Sequence, residues 1–324
     1  MSDLSFPKAR YEPGVVDFGN GAFAYLQPDG GWGLSNSGLV TSDGEAFLID
    51  TMFDYAHTRA MLDSFRRASP AKIRTLFNTH HNGDHCYGNA LVDGAEIIAT
   101  EGAKTAMTHE TPAGLAGLMK IAGNMGLTGE YFLHCFGRYQ FDGIDAKLPD
   151  TTFHGRAARQ VGSKSVELIE VGPAHTGGDA VAWVPQDKAV FTGDILFIEG
   201  HPIIWAGPIG NWIAACEMIE AMDAQIIVPG HGPVTDKKGV GRVRDYLTYI
   251  RDEAKKRYDS GMGALEAARD ISFADFANWG DAERIAVNTA TLYREFGAKD
   301  VPSDPATLFG WMAQIWKDRK GKGA

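Results

Sequence analysis

Short apolar runs alternate with turn residues through the first half of the chain, and apolar positions recur at helical spacing towards its end. Residues 22–25, 38–41 and 46–49 read as strands, with Asp29-Gly30-Gly31 and Ser42-Asp43-Gly44 as the turn chemistry between them. Ala56, Ala60, Leu62 and Phe65 predict a helix over 55–68, closed by Pro70. Two further strands, 73–77 and 96–99, follow, and then a Met-, Gly- and Leu-rich stretch over 101–137 that reads as two or three inserted helices. Strands return at 166–171, 180–184, 189–191 and 226–228, with a helix over 211–221 between the last two. From about Asp236 the pattern is helical, over 243–258, 282–296 and 305–317. Two groups of strands, each followed by helices, predict an α/β protein with a sheet-on-sheet core and helices outside.

Composition narrows the class. The 324 residues are 44% hydrophobic and 22% charged, enough for a sizeable core and against wholesale disorder. Lys and Arg number 31 against 41 Asp and Glu, so the net charge is −10, and a nucleic-acid partner is not expected. Three widely spaced cysteines, Cys86, Cys135 and Cys216, form neither a disulfide framework nor a thiolate metal site. No apolar run is long enough to span a membrane. Residues 1–14 show no apolar leader segment, so the expected location is cytoplasmic. The basic end, 317–322, reads as a solvated, frayed terminus.

Candidate chemistry sits on four loops, each just past an apolar strand. They are Thr79-His80-His81-Asn82-Gly83-Asp84-His85, then Gly172-Pro173-Ala174-His175-Thr176-Gly177-Gly178-Asp179, then Phe191-Thr192-Gly193-Asp194, then Val228-Pro229-Gly230-His231-Gly232. Loops held by rigid strands are where ligand residues are expected. Imidazole and carboxylate together suit a borderline divalent ion, Zn²⁺ first and Fe or Mn after it. A lone loop histidine is usually a surface or hydrogen-bonding residue, and His57, His109, His134 and His154 are assigned to that role. Four segments in order are a different matter.

The set resembles the metallo-β-lactamase superfamily, over roughly residues 15–235. The resemblance implies an αββα sandwich at 1–238, carrying the helical insert, with a C-terminal helical extension at 239–324. It implies that His80 and His175, with a further histidine, hold one metal ion. Asp84, His85 and His231 would hold the other, Asp194 would bridge both, and Asp50 would support the ligand loop. One position departs: Asn82 stands where the family's second His is found. A carboxamide is a weaker donor than imidazole, and the adjacent His81 points the other way along an extended loop. One zinc ion is therefore expected to bind tightly, with the second site weak or empty.

The expected activity is that of a metal-dependent hydrolase, in which a metal-bound hydroxide attacks a small ester, lactone, thioester or amide. Asp84 is the expected proton acceptor or orienter of that water, and Asn82 a donor to substrate. Trp32 in the glycine-rich early hairpin is expected to form a mobile lid, with His201, Ile204 and Trp205 bordering the cavity. Met107, Leu115, Leu118, Met119, Met125, Phe132 and Phe136 of the insert are expected to roof it or to pack the insert on the sheet. Such a cavity suits a hydrophobic or aromatic small molecule. Hydrolytic dehalogenation or lyase chemistry on an aromatic compound is the alternative, and a non-catalytic ligand sensor the second alternative. In the tail, Trp279, Glu283, Arg284, Asn288 and Tyr293 read as packing first, with a pocket wall or homodimer contact as the alternatives.

Overall fold

The computed structural model describes residues 12–320. The N-terminal stretch read as leaderless lies almost wholly outside them, as does the end of the basic terminus from residue 321. The chain opens with strands β1 (Gly14–Asp17), β2 (Ala22–Leu26), β3 (Ser37–Ser42) and β4 (Glu45–Ile49), helix α1 (Tyr55–Ala68) and strand β5 (Lys72–Phe77). The one-turn helix α2 (Gly83–Cys86) and β6 (Glu96–Thr100) follow. The insert comprises α3 (Glu101–Met107), α4 (Pro112–Ile121) and α5 (Gly126–Phe136). The second half runs through β7 (Thr151–Phe153), β8 (Arg156–Val161), β9 (Lys164–Glu170), β10 (Ala180–Val184), β11 (Ala189–Phe191), α6 (Ile209–Ala221) and β12 (Ile226–Val228). The tail is α7 (Lys237–Asp259), α8 (Ala264–Asp270), α9 (Ile285–Glu295) and α10 (Pro305–Lys320).

Strands β1 to β7 form one sheet in chain order, and the second sheet runs β12-β11-β10-β9-β8. Period-two alternation sorts the side chains into layers. Phe47 and Ile49 of β4 face the other sheet, where they meet Leu168, Ala182 and Phe191. Their neighbours Ala46 and Leu48 face the opposite way, onto Met61, Leu62 and Phe65 of α1. The sheets approach so closely at Gly38 that a Cβ there would lie 2.3 Å from the Phe191 ring. On the outer face of the second sheet, Val181, Val190 and Ile227 join one apolar cluster with α6, α7, the insert and the tail helices. The result is the helix–sheet–sheet–helix arrangement expected.

Five elements had not been predicted, among them the one-turn helix α2 inside the loop read over 79–85. Strands β1, β7 and β8 are short or polar edge strands, and β8 (Arg-Ala-Ala-Arg-Gln-Val) has almost no apolar stripe. Helix α8 hides among alanines. Helix α7 starts at Lys237, ahead of the first apolar position, because the Asp236 side chain caps it by accepting from the amides of Lys238 and Gly239. The basic end is helical through Lys320 rather than frayed from 317, since Leu308, Met312, Ile315 and Trp316 bury one face of α10.

Candidate metal centre

The chemistry-bearing residues come together where strands end. Asp50 follows β4, residues 78–85 follow β5, His175 follows β9, Asp194 follows β11 and His231 follows β12. Asp50 anchors the first ligand loop. Its Oδ1 accepts from the Thr79 amide at 2.7 Å, and its Oδ2 lies 2.7 Å from Thr79 Oγ1 and 2.8 Å from His85 Nδ1. It does so from a left-handed backbone (φ 61), a conformation costly for a non-glycine residue and over-determined here by these bonds. Bonding at Nδ1 turns Nε2 of His85 to the centre, the tautomer a metal ligand requires.

Asp194 occupies the middle. Its Oδ1 lies 3.0 Å from His85 Nε2, and its Oδ2 lies 3.3 Å from His175 Nε2, 3.4 Å from His231 Nε2 and 3.7 Å from His80 Nε2. Asp84 Oδ2 is 3.3 Å from His231 Nε2. Gly230 makes room: a Cβ there would stand 2.0 Å from Asp194 Oδ1. Burial alone would raise Asp194, but the charges of His231, His85 and His80 outweigh it and hold its carboxyl well below the carboxylate range. His231 is pushed up to about 9 because Asp194 and Asp84 outweigh its burial. His175, by contrast, is pushed down to about 4 by burial, and His80 falls well below the usual imidazole range for the same reason.

A metal ion fits this donor set. His80 Nε2, His85 Nε2 and Asp194 Oδ1 are buried without a hydrogen-bond partner, a costly arrangement for three polar atoms that face one another. His80, His85 and Asp194 offer ligand atoms within 4.8 Å of one another, as do Asp84, His85 and His231. His175 belongs to neither group. Its Nε2 is 2.8 Å from Asn82 Oδ1, while Nδ1 lies 2.7 Å from the Ile203 carbonyl. With Nδ1 donating to the Ile203 carbonyl, Nε2 of a neutral ring is an acceptor and faces a second acceptor, the Asn82 carboxamide oxygen.

The cluster forms the floor of a cavity of about 660 Å³. Trp32, Trp205, Phe132, Phe136 and Phe309 line it as one set of rings in mutual contact, with centroids 4.9–6.1 Å apart. Leu115, Leu118 and Met125 of the insert also line it, whereas Met107 and Met119 pack into the apolar cluster. Trp32 and Trp205 thus stand where expected. Trp32 is tied down rather than loose, however: its carbonyl accepts from Tyr139 Oη at 2.9 Å, and Arg284 covers its ring. His201 is displaced from the expected cavity edge. It is fully buried behind the wall, against Phe273, Tyr246 and Trp279, because the backbone after Ile198 pairs with the tail at Gly280.

Sequence reasoning passed over three aromatic cavity residues, Phe53, Tyr87 and Phe309. His81 lines the cavity with Nε2 3.1 Å from Glu110, and Phe53, Tyr87 and Phe309 complete the apolar wall. Phe309 lies in the tail, with no local motif to mark it. Of the tail residues singled out earlier, only Arg284 lines the cavity. Asn288 pins the loop above it, accepting from the Ile204 amide at 2.8 Å and donating to the Pro202 carbonyl at 2.9 Å.

Fold and donor set together define a metal-binding αββα sandwich. Residues 30–231 match the model of the metallo-β-lactamase superfamily, and the chain belongs to that superfamily. It is 30% identical over 154 residues to a hydroxyacylglutathione hydrolase of Methylococcus capsulatus, covering 48% of this chain and 46% of that one. It is 19% identical over 269 residues to a linear primary-alkylsulfatase of Pseudomonas sp., covering 72% and 49%. The chain thus spans about half the length of these curated relatives. A solved sec-alkylsulfatase from Pseudomonas sp. superposes with a TM-score of 0.65 at 16% identity, over 91% of this chain and 52% of that one.

Proposed function

We propose that the protein is a metal-dependent hydrolase of small apolar or aromatic esters, lactones, thioesters or amides. The supporting observation is the position of a polar, metal-fitting donor cluster at the floor of an aromatic-walled cavity. Asp84, His85 and His231, with Asp194, would hold one ion, and zinc suits the donor chemistry best. A bound ion of this kind supplies Lewis acidity and a water activated at neutral pH.

The chain's own groups do the rest. Asp84 lines the cavity, and its carboxyl lies below the usual range because His85 and His231 outweigh its burial. It is an ionised acceptor, able to take a proton at a carboxylate oxygen. Asn82 also faces the cavity, where its Oδ1 lies 2.8 Å from His175 Nε2, and its Nδ2 would donate to a substrate oxygen. The aromatic rings bind the apolar part of the substrate and exclude water.

A sulfate ester is a second reading. It is favoured by the curated alkylsulfatase likeness, which extends over 72% of this chain and so beyond the segment the family model matches. Metal content and turnover separate the readings. The purified protein should carry one tightly held zinc ion per chain, and Asn82→His should raise this to two, measured by inductively coupled plasma mass spectrometry. Two tightly held ions in the wild type would defeat the single-ion reading. Turnover is tested on p-nitrophenyl esters, lactones, thioesters, alkyl sulfates and haloaromatics. A preference for haloaromatics would replace hydrolysis of an acyl group with dehalogenation, and turnover of none would favour a ligand sensor.

A further inference from the structure

We propose that Arg284, supplied by the C-terminal extension, is a positioning residue for His231 and thereby sets the metal affinity of the centre. The inference rests on the reading of the cluster as a metal centre. Arg284 is 1% exposed and touches no candidate ligand in the hydrogen-bond network. Its guanidinium carbon lies 4.5 Å from the centre of the Trp32 ring and 5.2 Å from that of Phe197. Nη1 donates to the His201 carbonyl at 3.0 Å and Nη2 lies 3.0 Å from Asp281 Oδ2, while Nε has no partner.

Both rings lead to His231. Phe197 lies flat on the His231 imidazole, with centroids 4.9 Å apart and planes 2° from parallel. Trp32 sits two residues after Gly30, whose carbonyl is 3.1 Å from His231 Nδ1. That loop is packed so tightly that a Cβ on Gly30 would stand 2.5 Å from the Gly232 amide nitrogen. Rotation of the imidazole is therefore opposed on its face by Phe197 and at its edge by Gly30. Arg284 touches Phe197 itself and, on the loop that carries Gly30, the Trp32 ring.

A buried guanidinium with an unpartnered Nε is costly, and an apolar side chain would pack between the same rings without that penalty. The cation adds attraction to the two ring faces, which an apolar residue lacks. The stacked order Arg284, Phe197, His231 then carries the orientation of the tail to the last ligand in the chain. Outer groups that orient a metal-binding histidine commonly change metal affinity by about 10- to 100-fold.

The test uses the full chain stripped of metal and titrated with zinc against a chromophoric chelator. Arg284→Met and Phe197→Leu should each weaken zinc binding by about 10- to 100-fold. The double variant should be little weaker than the worse single one, since both interrupt the same route. Arg284→Lys should recover part of the loss. Tyr131→Phe removes a 2.9 Å hydrogen bond to Glu283 in the same extension and should leave zinc affinity within about twofold of wild type. Wild-type affinity in folded Arg284→Met, or in Phe197→Leu if the former does not fold, overturns the inference. So does an equal loss in Tyr131→Phe. A wild-type chain that takes up no zinc overturns the metal-centre reading itself, and that result is seen before any variant is compared.

Discussion

His201 shows what a single buried side chain costs. Both ring nitrogens lack partners, and its basicity is pushed down to about 3, first by burial and then by the charges of Arg284 and Arg319. An unfolded imidazole titrates near 6.5. As pH falls below that value the unfolded chain takes a proton that the folded chain refuses, so stability drops between about pH 6.5 and pH 3. The loss from this residue is about 1.4 kcal/mol per pH unit, or about 2 kcal/mol at pH 5. His201→Leu should remove that component. Urea unfolding at pH 8 and pH 5 should show the variant gaining on wild type in acid, and parallel losses would refute the assignment. Asp50 is the converse case, a buried carboxyl with every bond used. Asp50→Asn replaces an acceptor facing His85 Nδ1 with an amide, and zinc affinity should fall about 10- to 100-fold in a chelator competition. Asp50 was expected from the family resemblance, which gives it the support of the ligand loop. His201 was misplaced because proximity in sequence to Asp194 says nothing about the turn of the backbone between them.

Between elements, the contacts that matter join parts distant in sequence. Gly38 on β3 and Phe191 on β11 leave no room for a methyl group, so Gly38→Ala should destabilise by about 1–3 kcal/mol through overpacking. An unchanged midpoint in denaturant would show that the sheets can separate freely there. Helix α10 reaches back over the cavity and places Phe309 against Trp32, Phe132, Phe136 and Trp205. Phe309→Ala should enlarge the cavity and raise KM for small aromatic esters by about tenfold, the effect of losing ~1.4 kcal/mol of apolar contact. Zinc content should not change, and the comparison of KM with metal content separates a wall residue from a ligand support. The strands with two-sided apolar patterns, β4, β10 and β12, were legible because burial on both faces leaves a continuous apolar signature. The polar edge strand β8 was not, since its pairing comes from β9 rather than from its own composition.

Across the whole molecule the insert, the sandwich and the tail share one apolar cluster, and the metal cluster lies where they meet. Binding of an ion to the folded state alone should raise stability by about 2.7 kcal/mol when free zinc exceeds its dissociation constant 100-fold. Thermal unfolding with zinc and with excess chelator measures this, and equal midpoints would mean that the folded cluster has no preference for the ion. The identity and order of His80, Asp84, His85, His175, Asp194 and His231, and the presence of Asn82 among them, belonged to the sequence. Residue types with one dominant chemistry, placed at strand ends, announce themselves without coordinates. What surrounds them did not. That Asn82 Oδ1 faces His175 Nε2, that Arg284 steadies His231 through Phe197, and that Phe309 closes the cavity follow only from the chain's return over itself. Packing contacts between residues far apart in the chain have no local signature, because they are set by how whole layers stack and not by any neighbouring residue.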